Sequence, residues 1–390
     1  MSLRRTSLAA IVTAALSAVL LTAATTAGVA AARPAAAATA DAAAARTAAR
    51  TVRAAVPWKR VGAGWVLTQY TSAAPVGRSG PAELYLISPS GTRYQLASWP
   101  DWRFAPQLIA WSPDGRRALF QVFTGKGGAV VLTLATGQVS SFIGQGEVNP
   151  IGFTTPRGLN IVGGQPSGSG TSLARYSLSG QLLQRLGYSA DGQVLYAASG
   201  TEFATGTSTG LKLVSNGGAL IRNLPVHGTS VNSCNPVRWW NSGTILASCV
   251  PPDSAIPQLW LVPVSGAHPT ALTPRRTVSS GDLGDLDAWQ LPSGLYLQSA
   301  GPCAVLQIFK QSRSGSITLV TVPHTASDNR VLTALGSRLL IQAPTSCTGS
   351  DSLLWFNPAT HAEQWLIRAP DNVIGAANAI PFYSRENGNL

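Results

Sequence analysis

An all-β fold is predicted by three features of the 390-residue sequence. Short aliphatic and aromatic runs alternate with turns rich in Gly, Pro, Asn and Ser, which suits strands joined by tight connections. An apolar strand ending in a glycine or Pro-Ala-Thr turn recurs at 82–91, 129–137, 171–180, 210–218, 257–266, 304–315 and 351–360. Those seven copies lie about 37 to 49 residues apart, close to the span of one four-stranded propeller blade. Upstream of most copies stands a second kind of hairpin, clearest in AWSPDGRRALF, Ala110 to Phe120.

That hairpin supplies the model for the others. Leu108 to Trp111 and Ala118 to Val122 read as its strands. Pro113 presets φ for the turn, Asp114 bonds to backbone two residues on, and Gly115 accepts positive φ. Arg116 and Arg117 fall at the exposed end of the second strand. An isolated hairpin is marginal in water, so a larger sheet is implied. Related hairpins place an aromatic a few residues before a turn glycine at Phe153–Gly158, Tyr188–Gly192, Trp240–Gly243 and Trp289–Gly294, and a plainer one turns at Leu335-Gly336. Each unit therefore reads as two hairpins joined by a loop.

The first unit lacks an opening strand, with Trp65 to Thr71 as its second. A lone strand-like segment, VIGAANAIPFY (373–383), follows the last copy. Joining the two gives a seven-bladed β-propeller of four-stranded blades, closed by the C-terminal strand, which removes exposed sheet edges. Six or eight blades, or a long β-sandwich, fit the same pattern less economically. The domain spans 57–383, with 384–390 as a tail.

The N-terminal region reads as export machinery. After the basic MSLRR start, Thr6 to Ala32 carries no charge, and Leu8 to Leu21 has the character of a secretory h-region. Ala38-Thr39-Ala40 fits a cleavage site, so residues 1–40 are expected to be a signal peptide. Cleavage nearer Ala30, or retention as a membrane anchor, is compatible with the same residues. Residues 41–56, almost all Ala, Arg and Thr, are expected to form a disordered linker. The chain is thus expected to be secreted or extracytoplasmic.

Trp111-Ser112-Pro113-Asp114-Gly115-Arg116-Arg117 resembles the hairpin of TolB-type propeller repeats, and the resemblance runs over roughly residues 58 to 383. It implies a propeller of the bacterial envelope that binds other proteins. This chain departs from the pattern in two ways: it has no room for the α/β domain that precedes the TolB propeller, and it has seven repeats rather than six. It also lacks the GH and WD dipeptides of ordinary WD repeats.

Four cysteines in an exported chain imply two disulfides. In CNPVRWWNSGTILASC a two-residue turn at Asn241-Ser242 sets Cys234 opposite Cys249 on paired strands, within bonding reach. Cys303 and Cys347 each fall eight residues into matched segments, LYLQSAGPC and LLIQAPTSC, which places them in equivalent loops of neighbouring blades and pairs them. Free buried thiols are the other reading.

No catalytic constellation assembles locally, and none of the residues is assigned a catalytic, cofactor or metal role. Gly206-Thr-Ser-Thr-Gly210 matches G-x-S-x-G, but it links strand to strand, so Ser208 reads as a loop serine. Thr124 to Gly128 lacks the spacing and the following helix of a phosphate loop. His227, His268, His324 and His361 are scattered without metal-ligand spacing. Asp282, Asp285 and Asp287 form the one acidic cluster, read as a solvated loop in preference to a Ca²⁺ site. Trp111, Trp239, Trp240 and Trp289 fall on predicted innermost strands and read as core in preference to stacking platforms.

The formal net charge is +12, and residues 1–56 hold six arginines and one aspartate, which leaves +7 on the rest. Such a chain is drawn to anionic wall polymer, lipid head groups or acidic proteins. No basic run interleaved with aromatics indicates nucleic acid. The sequence therefore suggests an exported, monomeric, non-catalytic scaffold that binds a protein or a cell-envelope component. The alternative is a hydrolase or lyase acting on polysaccharide or a lactone in the central channel.

Overall fold

The computed structural model describes residues 56–72, 81–101, 105–122, 128–142, 149–167, 170–189, 193–226, 233–251, 256–275, 284–301, 305–325, 328–344, 351–368 and 373–382. Among them the one helical segment is a 3-10 turn at Trp58–Arg60; everything else regular is antiparallel sheet. Strands β1 (Val66–Ser72), β2 (Ala82–Ile87), β3 (Arg93–Trp99) and β28 (Val373–Pro381) form a sheet ordered β28-β1-β2-β3. The second sheet runs in chain order through β4 (Gln107–Trp111), β5 (Arg117–Gln121), β6 (Ala129–Thr133) and β7 (Val139–Phe142). The third follows through β8 (Asn149–Phe153), β9 (Asn160–Ser167), β10 (Gly170–Ser177) and β11 (Leu182–Ser189).

Two further groups share one continuous sheet. The fourth comprises β12 (Leu195–Tyr196), β13 (Glu202–Thr207), β14 (Gly210–Ser215) and β15 (Leu220–Pro225). The fifth comprises β16 (Ser233–Asn241), β17 (Thr244–Val250), β18 (Gln258–Pro263) and β19 (Thr270–Ala271), and a single Thr207–Cys234 bridge joins the two. The sixth contains β20 (Asp285–Leu291), β21 (Gly294–Ala300), β22 (Leu306–Gln311) and β23 (Ile317–Leu319). The seventh contains β24 (Arg330–Leu335), β25 (Arg338–Pro344), β26 (Asp351–Asn357) and β27 (Ala362–Ile367). This all-β arrangement of four-stranded antiparallel sheets is that of a β-propeller.

Side chains alternate between the two faces of a strand, and here both faces are apolar. Ala118 and Phe120 of β5 pack with Leu84, Leu86 and Leu108 between the first and second sheets. Leu119, between them in sequence, packs the other way with Phe153 and Ile161 of the third. The same sharing repeats along the chain, and one layer sets Leu340, Leu353 and Trp355 of the seventh group against Val66, Ile87 and Ala379 of the first sheet.

Five of the seven recurring turns have one construction. The amides of Gly91, Gly180, Gly218, Gly266 and Gly315 bond to the carbonyl three residues earlier at 2.8 to 3.1 Å. Each of these glycines has φ between +80° and +90°, the left-handed region where a side chain is strained. The second and last copies differ: each turn is one residue longer, with Gly137 at φ +65° and His361 at φ +58°. In the opening hairpin, Ser112 Oγ donates to Asp114 Oδ1 (2.6 Å), and the Arg116 amide donates to the same oxygen (3.0 Å). Arg117 is less exposed than its place in the sequence suggests. Its guanidinium pairs with Asp114 (3.2 Å) and reaches the Arg157 carbonyl of the third sheet (3.3 Å).

The cysteine hairpin has the predicted pairing by a different route. Its turn lies at Ser242-Gly243, one residue later than expected, since Asn241 pairs with Thr244. Bulges at Trp240 and Val237 then recover the lost register, so that Cys234 sits opposite Cys249 and the two are bonded, Cα to Cα 4.1 Å. Cys303 and Cys347 lie outside the described residues.

Successive sheets are held by a polar device as well. Gln69 on β1 donates to the Pro106 carbonyl and accepts from the Leu108 amide, both at 2.8 Å. Gln298 on β21 does the same to the Asn329 carbonyl (2.8 Å) and the Val331 amide (2.6 Å). Each amide side chain acts as a peptide unit against the otherwise unpaired edge of the next first strand, satisfying buried backbone groups. Register places Gln121, Ser248 and Gln342 at the same position in their sheets. At the equivalent Gly206 there is no side chain, and the backbone of β13 itself bridges to β16.

Replacing Gln298 by Ala removes both clamp bonds from buried backbone groups of the next sheet, which should lower unfolding free energy by about 2 kcal/mol. Gln121→Ala, which loses only a bond to the exposed Asn149 (3.1 Å), should cost under about 1 kcal/mol. Urea titration of the two variants checks the difference; equal losses would remove the clamp's special role. Reducing Cys234–Cys249, with a sequence separation of 15, should cost about 3 kcal/mol in the same assay.

Candidate functional site

The first strands of successive sheets converge, so residues on them meet residues of other sheets. Register identifies one level at which every first strand carries a polar residue. Gln107 pairs with Gln121, Asn149 with Gly164, Asn235 with Ser248, Asp287 with Gln298, Arg330 with Gln342, and Asn378 with Gln69. In the fourth group Gln193, two residues before Leu195, stands level with Gly206. Gln107, Asn149, Gln193 and Arg330 are exposed, although the residue after three of them, Leu108, Pro150 and Val331, is buried.

The glutamine clamps present these residues. Gln69 grips the backbone on either side of Gln107, and Gln298 grips it on either side of Arg330. At Gln107 and Arg330 the residue is therefore set by hydrogen bonds from the preceding sheet, a rigid support for a recognition surface.

Charge concentrates on one arc of this level. Arg238 of β16 donates from Nε to Asp287 Oδ1 (2.8 Å) and from a terminal nitrogen to Oδ2, a bidentate pair. Its guanidinium also lies over the Trp289 ring, 4.2 Å from the centroid, a stacking geometry that favours arginine. The side chains of Arg238 and Asp287 are 20% and 22% exposed. Burial pushes the Asp287 carboxyl above its ordinary range; the Arg238 guanidinium, the Ala288 amide and the charge of Arg330 oppose that rise.

The other residues singled out in the sequence do not converge. Asp285 is buried and accepts from Ser299 Oγ (2.7 Å), whereas Asp287, beyond a bulge at Leu286, turns to Arg238. Asp282, His227 and residues 124–127 lie outside the described residues. Among the described residues no three His, Cys, Asp or Glu side chains group as metal ligands. Ser208 is exposed in the tight β13–β14 turn, a strand-to-strand connection. His268 and His361 are exposed, and the exposed His324 meets Glu363 at 3.2 Å. Trp111, Trp239 and Trp289 are core residues, Trp239 donating to the Tyr196 carbonyl at 2.8 Å, and Trp240 packs against the layer between the fifth and sixth groups.

Sequence reasoning missed the polar level and its clamps. A signal was present: LYLQ and LLIQ, 295–298 and 339–342, end on the same residue at the same strand position.

No protein-family model matches the chain, and no curated protein matches it. Solved structures do resemble it. A prolyl endopeptidase superposes with TM-score 0.52 at 14% identity, over 89% of this chain and 55% of the other. TolB from Acinetobacter baumannii gives 0.44 at 14% identity, over 80% and 65%. Oligogalacturonate lyase from Vibrio parahaemolyticus gives 0.45 at 14% identity, over 78% and 86%. The chain thus spans less than two thirds of the first two.

Replacing Arg238 by Ala strands a partly buried carboxylate, a loss of about 3 kcal/mol at neutral pH. Because the folded-state pKa of Asp287 is raised, its contribution to stability is greatest below the unfolded carboxyl pKa and falls as pH rises through the folded value. The fall should be steeper in Arg238→Ala and abolished by adding Asp287→Asn, as read from urea midpoints between about pH 4 and about pH 7. A pH-independent deficit would contradict the ion-pair assignment. At 14% identity the likeness to solved structures is one of fold, and the fold is the β-propeller.

Proposed function

We propose that this chain is a seven-bladed β-propeller, closed by β28 in the first blade, that acts outside the cytoplasm as a non-catalytic scaffold. It binds a protein or an anionic cell-envelope component at the polar level of its first strands. The observation that carries this reading is the make-up of that level: Gln107, Asn149, Gln193 and Asn235 with Arg330 and the Arg238–Asp287 pair. Carboxamides both donate and accept hydrogen bonds and do not titrate. They complement a peptide backbone, while Arg330 attracts an anionic group. The carboxylate at this level is held in an ion pair, an arrangement for orientation and charge rather than for proton transfer. The basic balance of the chain favours the same class of partner, and site residues rather than fold determine function on a propeller.

The test is chemical crosslinking on intact producing cells, followed by affinity recovery and mass spectrometry. One envelope partner should be recovered repeatedly, and its yield should fall at least tenfold when Arg330 and Gln107 are both replaced by Ala. Turnover of a polysaccharide or lactone by the purified chain, abolished by the same substitutions, would instead establish the hydrolase or lyase alternative.

A further inference from the structure

Six large apolar side chains are exposed among the described residues, and five of them gather in two adjoining sheets. Leu182 and Leu183 open β11, Leu220 and Ile221 open β15, and Leu159 follows the first turn of the third sheet. They are 45% to 55% exposed. In an antiparallel meander the first and third turns share one end, so all five lie at one end of these two sheets, four of them on the outermost strands.

Core packing does not account for this grouping. Leu183 is an extra residue between the pairs Tyr176–Leu182 and Arg175–Gln184, and Ile221 is an extra residue between Val214–Leu220 and Leu213–Arg222. The two bulges occupy the same place in their sheets, and each turns an apolar residue outward. The first, second, sixth and seventh groups have unbulged pairing at that place. Bulged outer residues elsewhere, Leu96 and Leu366, are buried.

The corner is held together. Arg175 donates to the Asn216 carbonyl (3.1 Å) and side chain (3.0 Å), and Gln184 donates to the Gly217 carbonyl. The turn that leads into Leu220 thus rests on β11. Arg157 lies in the first turn of the third sheet, Arg185 on β11 and Arg222 on β15, all exposed, and Arg222 also donates to the Val264 carbonyl (3.4 Å).

We infer that this corner docks on an anionic lipid surface, with Leu159, Leu182, Leu183, Leu220 and Ile221 entering the interface and the three arginines meeting lipid phosphates. Apolar side chains rimmed by arginine are the combination that binds anionic interfaces. A second copy of the chain would bring the same positive charge against itself. A protein strand adding to β11 or β15 would need a regular edge, which the bulges interrupt. This surface is separate from the first-strand level, so its failure would leave the reading of that level standing.

The test uses the full chain with phosphatidylcholine vesicles, with and without phosphatidylglycerol, read by amide hydrogen exchange. Peptides covering 182–186 and 220–224 should become protected when phosphatidylglycerol is present. Vesicle affinity of Leu183→Ser/Ile221→Ser, and separately of Arg185→Gln/Arg222→Gln, should fall on the order of tenfold or more, with unchanged thermal midpoints. Protection confined to other segments, equal binding by the substituted chains, or protection of these strands by a protein but not by vesicles would overturn the proposal. The exchange pattern of the unaltered chain decides the matter even where a variant folds poorly.

Discussion

A sheet with two apolar faces cannot be satisfied by one neighbour. In β5, Phe120 packs toward the first sheet and Leu119 toward the third, and the other sheets divide their side chains in the same manner. A linear stack of such sheets would leave an apolar face at each end; a ring leaves none. The layer between Leu340, Leu353 and Trp355 and the residues Val66 and Ile87 is the contact such a ring requires between its two ends, and it supports the closure proposed above. At about 25 cal/mol per Å² of apolar surface removed from water, a layer between sheets outweighs any single polar contact in the molecule.

Burial on both faces creates a polar problem at the inner edge, where the first strand of each sheet has backbone groups that its own sheet does not pair. Three solutions appear. Gln69 and Gln298 supply an amide that stands in for a peptide unit. Ser248 supplies a single hydroxyl to the Asp285 carbonyl at 3.4 Å. At Gly206 the neighbouring strand comes in directly, and the fourth and fifth groups fuse into one sheet at Thr207–Cys234. The disulfide lies beside this junction and ties β16 to β17.

The same edge is where recognition becomes available. A residue whose flanking backbone is gripped from the preceding sheet has little freedom, and its side chain is offered at low entropic cost to a ligand. Arg238, bonded to Asp287 and stacked on Trp289, shows how one polar pair can be both structural and part of such a surface. The carboxylate is partly desolvated, and the guanidinium, with the Ala288 amide and the charge of Arg330, offsets that cost. Sites of this type draw residues from separate sheets, each unremarkable in its own segment.

How much was legible in the sequence follows from the range of each interaction. Ser112 to Arg117 carries its own turn, and the glycines at 91, 180, 218, 266 and 315 mark theirs, because a tight turn is decided by residues within four positions. Strand periodicity and the repeat length are equally local, and together they determined the fold class and the pairing of Cys234 with Cys249. The turn at Ser242-Gly243 shows the limit: two bulges restored a register that simple counting reached from the wrong turn. Only the tertiary structure decided that Gln69 meets Leu108, that Arg238 meets Asp287 across 49 residues, and that Leu183 and Ile221 stand outward beside each other's sheets. Those contacts join residues far apart in the chain, and no local propensity encodes which strands of separate sheets come to lie side by side.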